Sequence, residues 1–139
     1  MLTDYEKSNS IEKVALSRFD KRYYTNLLNC GESVAERQKT ANELVRYLCG
    51  KFNIPYTSVY AANKPYRKCL GLYNVNTRQI VVYNLTAKQH KVVSIKGFAD
   101  TLLHEFMHHY DHTKLGLIES RHTTGFYKRI SDLKEKVKK

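Results

Sequence analysis

Between Tyr56 and Leu85 the apolar residues of this chain abandon the helical period they follow on either side. They gather instead in β-branched and aromatic runs at Tyr56 to Ala61, Cys69 to Tyr73 and Gln79 to Asn84. Asn, Lys and Pro residues separate these runs, and Asn74-Val75-Asn76-Thr77 suits a hairpin between the last two. The block reads as a small three-stranded sheet. Helical patterns before and after it place the chain in the α+β class.

Upstream, Ile11, Val14, Leu16, Phe19, Tyr23, Leu27 and Leu28 recur at loose helical spacing and predict a first helix that breaks at Asn29-Cys30-Gly31. Ser33-Val34-Ala35-Glu36 has the form of a capping box and opens a second helix. Leu44, Val45, Leu48 and Phe52 form its buried face. It should stop near Asn53-Ile54-Pro55, because proline disfavours helical geometry in the residue before it. Downstream, Phe98, Leu102, Leu103, Phe106 and Tyr110 predict a third helix with Gly116 as its stop. A closing helix begins near Thr124 and presents Phe126, Ile130, Leu133 and Val137 on one face.

A length of 139 residues without repeats or a Pro/Gly-rich linker predicts one domain, residues 1–139. At 42% hydrophobic and 27% charged, the composition is that of a globular chain rather than a disordered one. Lys and Arg number 24 against 13 Asp and Glu, a formal charge of +11 that attracts polyanions and makes nucleic acid the favoured neighbour. The basic clusters Lys64-Pro65-Tyr66-Arg67-Lys68, Lys21-Arg22-Tyr23-Tyr24 and Lys134 to Lys139 suit phosphate binding, with tyrosines to stack on bases. No apolar run resembles a secretion signal or a membrane span, so the expected compartment is the cytosol. Cys30, Cys49 and Cys69 are odd in number and form no Cys-x-x-Cys pair, which predicts reduced, mostly buried thiols.

The chemistry concentrates in the third helix, at His104-Glu105-Phe106-Met107-His108. Histidines four apart on a helix project from one face about one turn apart, so both imidazoles reach one ion. Glu105 lies beside them, placed to hold a water rather than to ligate. A catalytic zinc takes three protein ligands and keeps a fourth position open, so one more ligand is needed. The extended pattern that adds Gly and a third His further along the same helix fails, because Asp111 and Lys114 occupy those positions. His109 points away from the His104/His108 face and His112 sits two turns from His104; both are expected to be solvated. Beyond Gly116 the candidates are His122, favoured because it leads into the last helix, and Glu119.

Thr101 to Tyr110, with His104, Glu105 and His108 at its centre, resembles the active-site helix of SprT-like zinc metalloproteases. His122 followed by Gly125 and Phe126 is similar to the tail of that family's motif. Cys69 to Leu72 and Arg78 to Tyr83 resemble the strand pair before its active helix. The resemblance spans about residues 35 to 135. It implies a compact zincin-like fold, Zn²⁺ held by His104, His108 and His122, and Glu105 as the group that moves the proton. It also implies a protein or peptide substrate, including proteins associated with DNA, and hence a cytoplasmic, nucleoid or nuclear setting. A more distant resemblance to minimal gluzincin peptidases, whose third ligand is a glutamate, favours Glu119.

Several secondary expectations follow. Tyr127 or Tyr110 is a candidate donor to a developing oxyanion. Gln79 to Asn84 is the candidate edge strand for an extended peptide, because it precedes the loop into the active helix. Cys69 is expected in the core, with capping of the zinc as the alternative. The second functional reading is a nucleic-acid-binding module with a structural or vestigial zinc site. Glu105 argues against it, since a structural site fills all four positions with protein ligands.

Overall fold

A computed structural model describes residues 2–65 and 69–138; Tyr66, Arg67 and Lys68 of the first basic cluster and Lys139 of the last lie outside the described residues. The elements run α1 (Asp4–Ser10), α2 (Arg22–Leu28), α3 (Val34–Phe52), β1 (Ser58–Pro65), β2 (Gly71–Asn74), β3 (Gln79–Leu85), α4 (Ile95–Thr113) and α5 (Thr124–Lys138). This is the α+β architecture expected from the pattern.

The serine half of the capping box expected for α3 forms, without a reciprocal bond from Ser33 N to the Glu36 side chain. Ser33 Oγ accepts from Glu36 N at the start of α3, and Asn53 closes that helix in the left-handed region at φ 56°. Ser94 Oγ caps α4 by accepting from Gly97 N. Gly116, at φ +70°, turns the chain after α4 as glycine readily does.

The sheet order is β1-β3-β2, with β3 parallel to β1 and antiparallel to β2. This overturns the expectation that Gln79 to Asn84 is an edge, because β3 is hydrogen-bonded on both sides. Its alternation buries Ile80, Val82 and Asn84, the first two of them in the core. In the hairpin between β2 and β3, Asn74 Oδ1 accepts from Asn76 N and Thr77 N, and Arg78 completes the turn at φ 53°. The outer edge of β1 is covered by α3: Asn42 bonds both Val59 N and Val59 O, and Gln38 Oε1 accepts from Ala61 N. The remaining edge is β2.

One hydrophobic cluster joins α2, α3, the sheet, α4 and α5, with Phe52 packed on Phe106 and Tyr110 at 6.1 and 4.9 Å between ring centres. Arg37 is buried here too. It donates to Gly31 O, Asn84 Oδ1 and Val93 O, tying α3 to the end of β3 and the approach to α4.

The first expected helix is corrected. Residues 11 to 20 are not helical and separate α1 from α2. Val14 and Leu16 are buried two apart, as an extended segment presents them. Distant side chains hold this stretch: Asp132 Oδ2 accepts from Val14 N, Tyr110 Oη accepts from Ala15 N, and Lys136 Nζ donates to Val14 O. α1 itself carries a capping box, with Thr3 and Glu6 bonded reciprocally.

Candidate metal centre

α4 is buried on most of its circumference, which is why its polar residues are so constrained. His104 and His108 emerge on the one face that borders a cleft, with ring centres 5.3 Å apart. His122 arrives from the segment after Gly116. Its Nε2 lies 3.2 Å from His104 Nε2 and 3.1 Å from His108 Nε2. Phe126, fully buried in the first turn of α5, supports all three rings at 5.2, 4.7 and 5.3 Å between centres. The closing helix therefore sets the third histidine against the first two.

Among the described residues, His104, His108 and His122 form a group able to hold a metal ion, with ligand atoms within 4.8 Å of one another. The chemistry of the donor set supports this. Zinc–imidazole bonds of about 2.0–2.1 Å in tetrahedral geometry place nitrogens about 3.3 Å apart, close to the 3.1 and 3.2 Å observed. A single proton between the rings would satisfy one of these two contacts, whereas a cation would engage the lone pairs of all three imidazoles. Burial pushes the imidazoles down, His104 below its ordinary value and His108 to about 4, the neighbouring histidines adding to it. Both rings present neutral lone pairs at neutral pH.

Glu105 is buried beside them, its Oε2 4.0 Å from His104 Nε2. Burial raises its carboxyl to about 7, and a cation held by the histidines would act in the opposite direction. Gly71 of β2 makes this arrangement possible. A Cβ there would sit 2.7 Å from Thr101 Cγ2 and 2.8 Å from Val81 O, with Glu105 Cγ at 3.4 Å. Only glycine lets the sheet edge come this close to α4.

The cleft encloses about 740 Å³ and is bordered by β2, through Gly71 and Leu72, as well as by the histidines, Glu105 and Tyr127. Leu70, Leu72, Val75, Ile118 and Tyr127 are exposed apolar residues on its wall. Of the two candidate oxyanion donors, only Tyr127 faces it. Tyr110 is buried, with its hydroxyl at Ala15 N. Glu119 is turned outward and paired with Arg121 at 2.7 Å, so it is not brought to the histidine pair.

Two expectations fail here. His109 is fully buried rather than solvated, placed between Tyr73 Oη at 2.7 Å from Nδ1 and Pro55 O at 2.7 Å from Nε2. The helical wheel turned it away from the metal face correctly, but that side meets the sheet. His112 is partly exposed, with Nδ1 3.2 Å from Leu117 O. Cys69 is exposed on the cleft wall, not in the core, because it precedes β2 at the rim; Cys49 is buried and Cys30 half-buried.

Sequence reasoning missed Ser120. Its hydroxyl lies 2.8 Å from His108 Nδ1 and donates to Asp111 Oδ2 at 2.8 Å, and Asp111 is paired with Arg129, both fully buried. No short motif marks this chain of contacts, since its members come from α4, the following loop and α5.

No family model, curated protein or solved structure matches this chain. No helix among the described residues is long and apolar enough to cross a membrane.

Proposed function

We propose that this chain is a zinc-dependent endopeptidase, with His104, His108 and His122 holding Zn²⁺ and Glu105 as the proton-transfer group. One observation carries the reading: three imidazole nitrogens converge beside a buried carboxylate at the wall of an open cleft. The resemblance of Thr101 to Tyr110 to the SprT-like active helix points the same way.

Zinc bound there would supply Lewis acidity, lowering the pKa of a water to about 7 and polarising a peptide carbonyl. Glu105 takes the proton of the attacking water and returns it to the leaving amine. The edge of β2, beside Glu105, offers backbone groups to an extended peptide, which favours unfolded or flexible segments over a fixed side-chain code. Tyr127, on the cleft wall, is the candidate donor to the carbonyl oxygen.

Proteins bound to DNA are the substrate class favoured by the +11 charge, which implies action in the cytosol or at the nucleoid or nucleus. Some residues of the basic clusters are already paired within the fold, Arg22 with Asp20, Lys134 with Asp100 and Lys136 with Asp132, so the +11 excess is carried by the other basic side chains.

The test is proteolysis by zinc-loaded protein of confirmed occupancy on an unfolded protein substrate, with and without single- or double-stranded DNA. Wild type should cleave. Glu105→Gln should keep the metal and lose about a hundredfold to ten-thousandfold in rate. A loaded wild type that cuts nothing in any of these conditions overturns the reading; DNA binding without cleavage would leave the chain as a nucleic-acid-binding module.

A further inference from the structure

We propose that Ser120 is a positioning residue for the metal centre. By accepting a hydrogen bond from His108 Nδ1–H, it keeps the Nε2 lone pair of that ring bare and aimed at the other two histidines. The identity of the ion rests on the metallopeptidase reading above, whereas the location of the proton is a property of the metal-free protein.

Arg129 is permanently cationic and wholly buried on α5. Its Nε and Nη2 donate to Asp111 Oδ1 and Oδ2 at 3.1 and 2.8 Å, and its other donors go to Ser8 O, Ile11 O and Ser8 Oγ. Asp111 is the carboxylate among these partners, so it is the group that neutralises the guanidinium and stays ionised, though burial itself pushes its carboxyl upward. An ionised carboxylate only accepts hydrogen bonds.

That fixes the serine. Ser120 Oγ has one hydrogen, and its 2.8 Å contact with Asp111 Oδ2 takes it. What Ser120 offers His108 is therefore a lone pair, and the 2.8 Å contact forces the ring to be the donor through Nδ1–H. A neutral imidazole carrying its proton on Nδ1 has a bare Nε2, the atom 3.1 Å from His122 Nε2. The order Arg129, Asp111, Ser120, His108 thus converts an ion pair in the core into a choice of tautomer at the site. Hydrogen bonds of this kind behind a metal-binding histidine orient the ring and raise its basicity. Lacking the serine hydroxyl, His108 loses the acceptor that selects this tautomer, and a proton on Nε2 points into the site.

The test uses ¹⁵N-histidine NMR on metal-free protein and zinc titration against a chromophoric chelator, for wild type, Ser120→Ala and Ser120→Thr. Wild-type His108 should show the Nδ1–H tautomer. Ser120→Ala should populate Nε2–H and weaken zinc binding about tenfold to a hundredfold at matched thermal stability, and Ser120→Thr should restore both. An Nε2–H tautomer in the wild type, or an alanine variant with unchanged tautomer and affinity, overturns the proposal. If the alanine variant does not fold, the wild-type tautomer still decides. A wild type with the Nδ1–H tautomer that takes up no zinc would sink the metallopeptidase reading while leaving the serine's hold on the ring in place.

Discussion

Tyr73 and His109 show how one buried contact can have a fully determined proton. Pro55 O only accepts, so His109 donates to it from Nε2, and Nδ1 must accept from the Tyr73 hydroxyl. Tyr73→Phe removes that donor and leaves Nδ1 unpaired in the interior. The expected loss is about 1–3 kcal/mol of stability, read from urea denaturation, with zinc affinity unchanged because His109 is not among the metal-holding group. Burial also pushes the Tyr73 phenol up to about 12. The unfolded phenol titrates near about 10, so in that window the folded protein keeps a proton that the unfolded chain releases. This contribution is fully present below pH ~10 and is lost as pH climbs toward ~12. Stability should fall across that range in the wild type, and less steeply in Tyr73→Phe. The burial of His109 was not legible in the sequence, since a helical wheel gives direction and not the partner met in that direction. His104, Glu105 and His108 were legible because their relation is local, one turn of helix.

At the scale of elements, α1 acts as a clamp on the segment that carries the third histidine. Asp4 Oδ2 accepts from Ile118 N and Glu119 N, Ser8 Oγ meets Thr123 Oγ1 at 2.7 Å, and Asn9 Oδ1 accepts from Gly125 N. Gly125 is the tightest point. A Cβ there would run into the Ser8 carbonyl and lie 2.8 Å from Asn9 Cα, both of them backbone and unable to swing aside. Gly125→Ala should therefore cost about 1–3 kcal/mol by overpacking and also weaken zinc uptake, since His122 lies three residues before it. Thermal denaturation and chelator competition measure the two effects separately; a destabilised variant with undiminished zinc affinity would show that α1 does not hold the ligand segment. α1 carries a local signal, Thr3-Asp4-Tyr5-Glu6, yet its seven residues are too few to show an apolar period. The stretch from Ile11 to Phe19 was misread because its backbone partners, Tyr110 and Asp132, lie over ninety residues away. Strand order was misread for a related reason: proximity in the chain to α4 does not decide which strand is inserted between two others.

Across the whole molecule, the histidine group able to hold a metal ion is assembled from distant parts of the chain. α4 supplies two histidines, the segment before α5 a third, and α1 and α5 hold that segment in place. Zinc that binds only the folded chain should consequently stabilise all of it. At a free concentration of a hundred times Kd the gain is about 2.7 kcal/mol, which corresponds to a rise in Tm of about 5–10 °C for a domain near this size. Calorimetry with and without zinc should show this shift, and a chelator should reverse it. A double variant, His104→Ala with His108→Ala, should show none. An equal shift in that variant would place the binding elsewhere.

Local rules by themselves determined both ends of α3, the start of α5, the existence of α4 and of three short strands, the hairpin at Asn74 and the one-turn pairing of His104 with His108, because caps, turns and periodicity act within a few residues. Only the tertiary structure decided that β2 is the open edge, that His109 is interior, that His122 rather than Glu119 reaches the pair, and that Ser120 stands behind His108. Those outcomes depend on which distant surfaces pack together, and burial and side-chain hydrogen bonding across more than a dozen residues leave no local pattern to read.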